Sequence, residues 1–190
     1  PDPRHRYMGR GQIREFGFNR IMIIGSPGSG KSTLARRLGQ KLGLPVFHMD
    51  RDVFWLPGWT ERPHEDRLAN INRIVDQEAW VFEGFNSSTF HIRGARADML
   101  IWLDFPLGLR LVRVIRRAVL GRGQVRADLA ADCPERLDML PGFIWYILRT
   151  SAKNRNKAHR FFDEFDGQKH RLQTVAEIDV VLNAKVWGGL

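Results

Sequence analysis

The stretch IMIIGSPGSGKSTLARRLGQKLG, residues 21–43, joins an apolar run, a glycine-rich loop and an amphipathic helix end to end. Gly25, Gly30, Lys31 and Ser32 satisfy the pattern G-x-x-x-x-G-K-[ST] in the context it needs, with a strand before and a helix after. In such a loop the glycines let backbone N–H groups turn inward around phosphate oxygens, and the helix N-terminus adds partial positive charge. The candidate phosphate-binding set is Gly25, Ser26, Pro27, Gly28, Ser29, Gly30, Lys31, Ser32 and Thr33. Lys31 is placed to bridge the β- and γ-phosphates and Ser32 to ligate Mg²⁺.

Outward from this stretch, strands and helices alternate. LPVFHMD (44–50) reads as a second strand and RPHEDRLANINRIVDQEA (62–79) as a helix. WVFEG (80–84) and DMLIWLDFP (98–106) read as further strands. A helix rich in arginine is expected over 107–120, a long one over about 140–165, a last strand near RLQTV (171–175) and a short helix after it. Alternation of this kind predicts an α/β fold with a mostly parallel sheet. The segment GRGQVRADLAADCPE (121–135) has no period and is expected to be a mobile loop. Residues 1–19 are rich in Gly and Arg and read as a flexible basic extension, with one domain over 20–190.

The 190 residues suit one domain. No apolar run approaches the roughly 18–20 residues that cross a bilayer. Residues 1–19 carry no apolar leader, so a soluble, cytoplasmic protein without a membrane partner is expected. One cysteine, Cys133, excludes an internal disulfide and a multi-cysteine metal site. The formal charge of +9, from 30 Lys and Arg against 21 Asp and Glu, favours polyanionic partners, nucleotides or nucleic acid.

In open parallel sheets ligands sit beyond the carboxyl ends of the strands. Acids stand at those ends here: Asp50 and Asp52, Glu83, and Asp104. Any of them could organise Mg²⁺, which needs only one or two carboxylates beside a phosphate chain. Asp50 and Asp52 could instead hold an acceptor hydroxyl or act as general base. Arg113, Arg116 and Arg117 lie on the helix entering the irregular segment, with Arg122 and Arg126 inside it. Guanidinium groups delivered by a closing segment suit the stabilisation of a phosphoryl group in transfer. Arg149, Lys153 and Arg155 line the long helix, where they could meet phosphates or a nucleic acid. Trp55 and Trp59 flank Leu-Pro-Gly after the second strand, and could stack on a flat acceptor or pack against the following helix. His48 could reach the acceptor or serve as a satisfied structural histidine.

GSPGSGKST, then EGFNSS, then LDFP followed by RVIRR, resemble the adenylate-kinase-like family of kinases. PVFHMDRDVFWLPGW, WVFEGFNSSTFHIRGARADMLIWLDFP and RGQVRADLAADCPERLD further resemble a branch known as DNA topology modulation proteins. The resemblance spans residues 20 to about 180. It implies a P-loop NTPase three-layer fold with a five-stranded parallel sheet in the order 2-3-1-4-5, a short mobile lid over about 121–138, and ATP with Mg²⁺ as cofactors. It implies Glu83 with Ser32 at the metal, Arg113 on the nucleotide, and Arg117 at the lid base. Arg122 and Asp50 complete the expected catalytic set with Lys31 and Arg117. Asn86 stands where that family has Pro-Arg after the turn glycine, Gly84, so Arg93 or Arg96 is expected to replace the missing arginine. The acceptor set is then Asp52, Trp55, Trp59, Gly84, Arg93 and Arg149. The expected activity is transfer of the γ-phosphoryl group to a nucleoside monophosphate or a hydroxyl-bearing metabolite. The rival reading is an ATP-binding regulator acting on DNA.

Overall fold

A computed structural model describes residues 18–184. The expected N-terminal extension lies outside the described residues up to position 17. Phe18 already packs against the core, and the backbone of Asn19 is tied to Asp98 and Trp80.

The central strand β1 (Arg20–Gly25) is the apolar run that precedes the glycine loop, and Ile21–Ile24 are wholly buried. It pairs in parallel with β5 (Trp80–Glu83) on one side and β6 (Met99–Leu103) on the other. β2 (Val46–His48) flanks β5 and β7 (Gln168–Leu172) flanks β6. The order is therefore β2-β5-β1-β6-β7, the expected five-stranded parallel sheet. The two short strands left out, β3 (Trp55–Leu56) and β4 (Thr60–Glu61), form a separate antiparallel hairpin.

Alternate residues of each buried strand serve opposite layers. Ile21, Ile23, Met99 and Ile101 pack with Leu34 and Leu38 of α1 (Lys31–Leu42) and with Val181 and Leu182 of α6 (Val175–Asn183). Met22, Ile24, Phe82 and Trp102 meet Ile71 and Ile74 of α2 (His64–Val75), Phe90 of α3 (Phe90–Gly94) and Ala158 of α5 (Leu140–Glu164). Both faces are thus covered by helices, giving three layers. α4 (Leu107–Leu120) follows β6 and leads into the segment expected to form a lid. No helix among the described residues is long and apolar enough to cross a membrane.

Two expectations need correction. The second strand ends at His48, not residue 50, because the chain turns there into one wide helical turn, Met49–Phe54. The Asp52 carboxylate accepts from the His48 backbone N–H at 2.7 Å and fixes that turn. Segment 121–135 has no helix or strand, as expected, yet it is folded on itself and is more than a plain loop. Bridges Arg122–Glu135 and Val125–Pro134 fold it back on itself, and Leu129, Ala130 and Cys133 form a small core of their own.

Candidate active site

The loop after β1 turns at glycines that admit no side chain. Gly28 has φ +79°, and a Cβ there would lie 2.4 Å from the carbonyl oxygen of Arg110. α1 then starts at Lys31 with Gly30 as its N-cap and no acid in its first turn. Its N-terminal N–H groups meet no competing carboxylate of their own helix, which is the condition for receiving phosphate.

A cavity of about 1210 Å³ opens over this loop. Single small ligands occupy pockets of roughly 300–1,000 Å³, so there is room for two substrates end to end. Residues 27–33, Asp50, Trp55, Trp59, Glu83, Gly84, Arg113 and Arg117 all line it.

Carboxylates gather where Ser32 faces β5. Ser32 Oγ lies 3.0 Å from Glu83 Oε1, and the same oxygen lies 2.8 Å from His48 Nδ1. Asp128 lines the same cavity, near enough to Ser32 and Arg126 for both to act on its carboxyl. Burial alone would raise Asp128, but Arg126 and Ser32 outweigh it and hold the carboxyl below its ordinary range. Asp50 behaves oppositely. Its side chain is solvent-exposed within the cavity, so what acts on it is the crowding of protein around that cavity and not a sealed pocket. This crowding, helped by Glu83 and Asp128, raises its pKa against the pull of Lys31 and Arg126.

The donor set of hydroxyl and carboxylate oxygens fits Mg²⁺. Among the described residues no three His, Cys, Asp or Glu side chains converge tightly enough to hold an ion unaided. An ion held by Ser32 and Glu83 would therefore draw on phosphate oxygens and water as well.

The arginines divide. Arg113 lies along the loop, its Nη1 3.5 Å from Ser29 O and its guanidinium over the Phe105 ring. Arg117 Nε and Arg126 Nε both approach Glu135 Oε1 at 2.9 Å, as ion pairs off the line of a good hydrogen bond. Burial, and then its neighbour Arg126, holds the Arg117 pKa below its ordinary value, with Glu135 opposing. Arg122, expected in the catalytic set, is exposed on the outside of the lid, and Arg126 faces the cavity in its stead.

Five other expectations are corrected. Arg93 is wholly buried beneath the site rather than in it. Its guanidinium donates to Gly84 O at 3.2 Å and Asn86 O at 3.3 Å between the rings of Phe82 and Phe90. Burial pushes its pKa down to about 9, with Glu83 opposing. Asp52 is occupied by Arg51 and the His48 N–H and does not line the cavity. Arg149 lies over Trp145 on the exposed face of α5. Asp104 is taken up by Arg155 at 2.9 Å and Arg171 at 3.0 Å, which removes it from the metal candidates and Arg155 from the phosphates.

Trp55 and Trp59 pack edge to face at 5.3 Å and carry the lid core on their outer side. Trp59 donates its backbone N–H to Cys133 Sγ at 3.2 Å and its Nε1–H to Pro134 O at 3.3 Å. They clamp the lid as well as lining the cavity. Asp128, Glu135 and the cavity-facing role of Arg126 escape a reading of the sequence, because an aperiodic segment gives no phase from which to tell inside from outside.

The model of the AAA domain family matches residues 21–124, more than half of the chain. The chain belongs to that family. Among curated relatives of this AAA-domain chain is threonine synthase-like 1 of Homo sapiens, 23% identical over 192 residues. The match takes in 90% of this chain, which spans about a quarter of that relative's length, 25%. A shikimate kinase of Baumannia cicadellinicola subsp. Homalodisca coagulata is 26% identical over 72% of this chain and 78% of its own. Adenylate kinase 2 of Synechocystis sp. is 28% identical over 62% of this chain and 75% of its own. Among solved structures, shikimate kinase from Acinetobacter baumannii in complex with shikimate superposes with a TM-score of 0.50 at 17% identity, over 87% and 89% of the two chains. That likeness extends to the sheet order and the three layers.

Proposed function

We propose that this chain is a Mg²⁺- and ATP-dependent phosphotransferase whose acceptor is a small molecule bearing a hydroxyl group. The observation that carries the reading is Asp50, a carboxylate of raised pKa opening into the cavity within the field of Lys31. An acceptor hydroxyl needs a base as its oxygen attacks, whereas an acceptor phosphate does not. The acids Asp50, Glu83 and Asp128 close to the loop also repel an incoming phosphate monoester and leave a neutral hydroxyl indifferent. The shikimate kinase and adenylate kinase relatives support the kinase class.

In the proposed reaction the acceptor oxygen bonds to the γ-phosphorus while the bond from that phosphorus to the ADP oxygen breaks. The hydroxyl proton passes to Asp50. Lys31, Arg113 and the loop N–H groups hold the phosphates, and Arg117 and Arg126 face the charge that develops. Mg²⁺ at Ser32 and Glu83 would neutralise the phosphate oxygens. The lid packed on Trp55 and Trp59 excludes water.

The branch known for DNA topology modulation suggests a regulator of DNA. Its support is the net charge, since Arg155 is turned to Asp104 and Arg149 to Trp145. The deciding experiment supplies Mg²⁺ and ATP with a panel of acceptors and follows transfer by phosphorus NMR. Transfer to one acceptor, lost in Lys31→Ala and in Asp50→Asn, is the expected result. Slow hydrolysis alone across the panel overturns the reading.

A further inference from the structure

We infer that the acceptor is an uncharged molecule with a flat aromatic ring and a free hydroxyl, and is neither a nucleoside monophosphate nor an acidic metabolite. The inference rests on the phosphotransferase reading and concerns only the far end of the same cavity. Beyond Asp50 much of the lining is carbon, with Arg136 and Asn154 as polar exceptions. Phe54 and Trp55 continue the turn that carries Asp50, Phe85 follows Gly84, and Leu140, Phe143 and Tyr146 close the wall from α5. Phe143 and Tyr146 are stacked with their ring planes 11° apart, presenting parallel faces. Offset aromatic surfaces of this kind favour a flat ring, and they do so for any ring with a π-face.

The cations tell the same story. Lys31, Arg113, Arg117 and Arg126, with Arg36 and Arg37 further along α1, line the cavity on the side of the loop, where the proposed reaction puts the donor nucleotide. Among the described residues, the cations around the acceptor end are committed elsewhere. Arg93 is enclosed by Gly84 O and Asn86 O, Arg62 donates to Val53 O at 3.1 Å, and Arg67 is paired with Glu61 over the Phe54 ring. Arg136 lines the cavity in a solvent-exposed pair with Asp138 at 3.1 Å, and is the cation that an acidic acceptor would have to recruit. An acceptor phosphate or carboxylate carried into this end would be desolvated against aromatic carbon and three neighbouring carboxylates. Such a charge is rejected unless a partner meets it. A neutral ring loses nothing there.

The test compares matched acceptors with the full chain, Mg²⁺ and ATP. Adenosine and thymidine represent neutral nucleosides, and pyridoxine a neutral heteroaromatic alcohol. AMP and TMP are the acidic counterparts of the two nucleosides, and shikimate represents an acidic, non-aromatic alcohol. The expected result is that at least one neutral acceptor exceeds every acidic one by about 100-fold or more in kcat/KM. Which neutral acceptor wins then tells a nucleoside from another aromatic alcohol. Tyr146→Ala, at an exposed position, and Phe85→Leu, which keeps the apolar volume, should each raise the acceptor KM about tenfold with the KM for ATP unchanged. Faster transfer to AMP, TMP or shikimate overturns the inference while leaving the phosphotransferase reading standing. ATP binding that depends on Lys31, with transfer to none of the six, overturns both.

Discussion

Ser32 Oγ and Glu83 Oε1 lie 3.0 Å apart, and the Glu83 oxygen is held from its other side by His48 Nδ1 at 2.8 Å. The first helical turn after the phosphate loop is thereby locked to the end of the neighbouring strand. A metal ion entering this contact would take over the hydroxyl and the carboxylate in geometry already set by a buried histidine. Glu83→Gln retains the shape and removes the charge. It is expected to weaken Mg²⁺ about 10–100-fold, as loss of a ligand or its outer support does. His48→Phe is expected to shift the same titration by about tenfold. Titrating ATP turnover with Mg²⁺ at saturating ATP reads both, and an unchanged Mg²⁺ midpoint would count against the assignment.

Asp50 is expected to show the opposite signs in stability and activity. Its folded-state pKa is raised above the ordinary 3.8, first by the crowding of protein around the cavity and then by Glu83. The folded protein therefore holds a proton that the unfolded chain releases earlier. Stability contributed by this group is full below 3.8 and falls as pH rises from there through the folded value. Asp50→Asn removes that penalty, so its Tm at pH 7 should exceed that of the parent while phosphoryl transfer disappears. Calorimetry at pH 4 and pH 7 decides it, because the gain should be confined to the higher pH.

Asp104 carries the contrary sign. Burial would raise it, but hydrogen bonds from Arg155 and Arg171 hold its carboxyl below its ordinary range. Its contribution is present above the unfolded-chain value and is lost as pH falls through the folded one. Asp104→Asn leaves two arginines facing a neutral amide at the end of β6. Both arginines reach solvent, so the cost should be about 1–2 kcal/mol rather than that of a fully buried pair. Urea unfolding at pH 7 and pH 3 should show the difference between parent and variant shrinking at the lower pH.

Gly84 marks the closest approach of two acid-bearing segments. With φ +143°, it admits no Cβ, since one would meet Met49 Cβ at 2.2 Å. Gly84→Ala must push the Met49 turn away and with it Asp50. A loss of about 2 kcal/mol or more is expected from backbone strain and displacement together. Transfer activity should fall further than the unfolded fraction accounts for. Retention of parental activity at a temperature where the variant is folded would contradict this.

Much of the frame was legible because parallel strands buried on both faces must be continuous apolar runs. Residues 21–24 and 99–103 could be nothing else, and Lys31–Leu42 shows its leucine stripe openly. The loop motif pointed to Lys31 and Ser32, and the family resemblance to Glu83 among the strand-end acids; the three line one cavity. The acceptor side was harder for a physical reason. Whether Arg93 faces a ligand or a carbonyl depends on a five-residue helix too short to show a period. Asp52 and Asp104 look alike as strand-end acids, and only the partners supplied by His48, Arg155 and Arg171, distant or on other elements, separate them from Asp50 and Glu83. The lid hid its inward residues because two isolated bridges, and not a repeat, determine which way Asp128 and Glu135 point.

The seat of the lid is mostly hydrocarbon: Leu129, Ala130 and Cys133 rest against Trp55 and Trp59. Apolar contact of this kind is driven by water and weakens on cooling, whereas ion pairs such as those at Glu135 respond to salt. The seat of segment 121–135 is thus expected to respond to temperature as well as to charge. Cooling should loosen it even where every charge stays in place, and Trp55 and Trp59 provide the fluorescence that would register it.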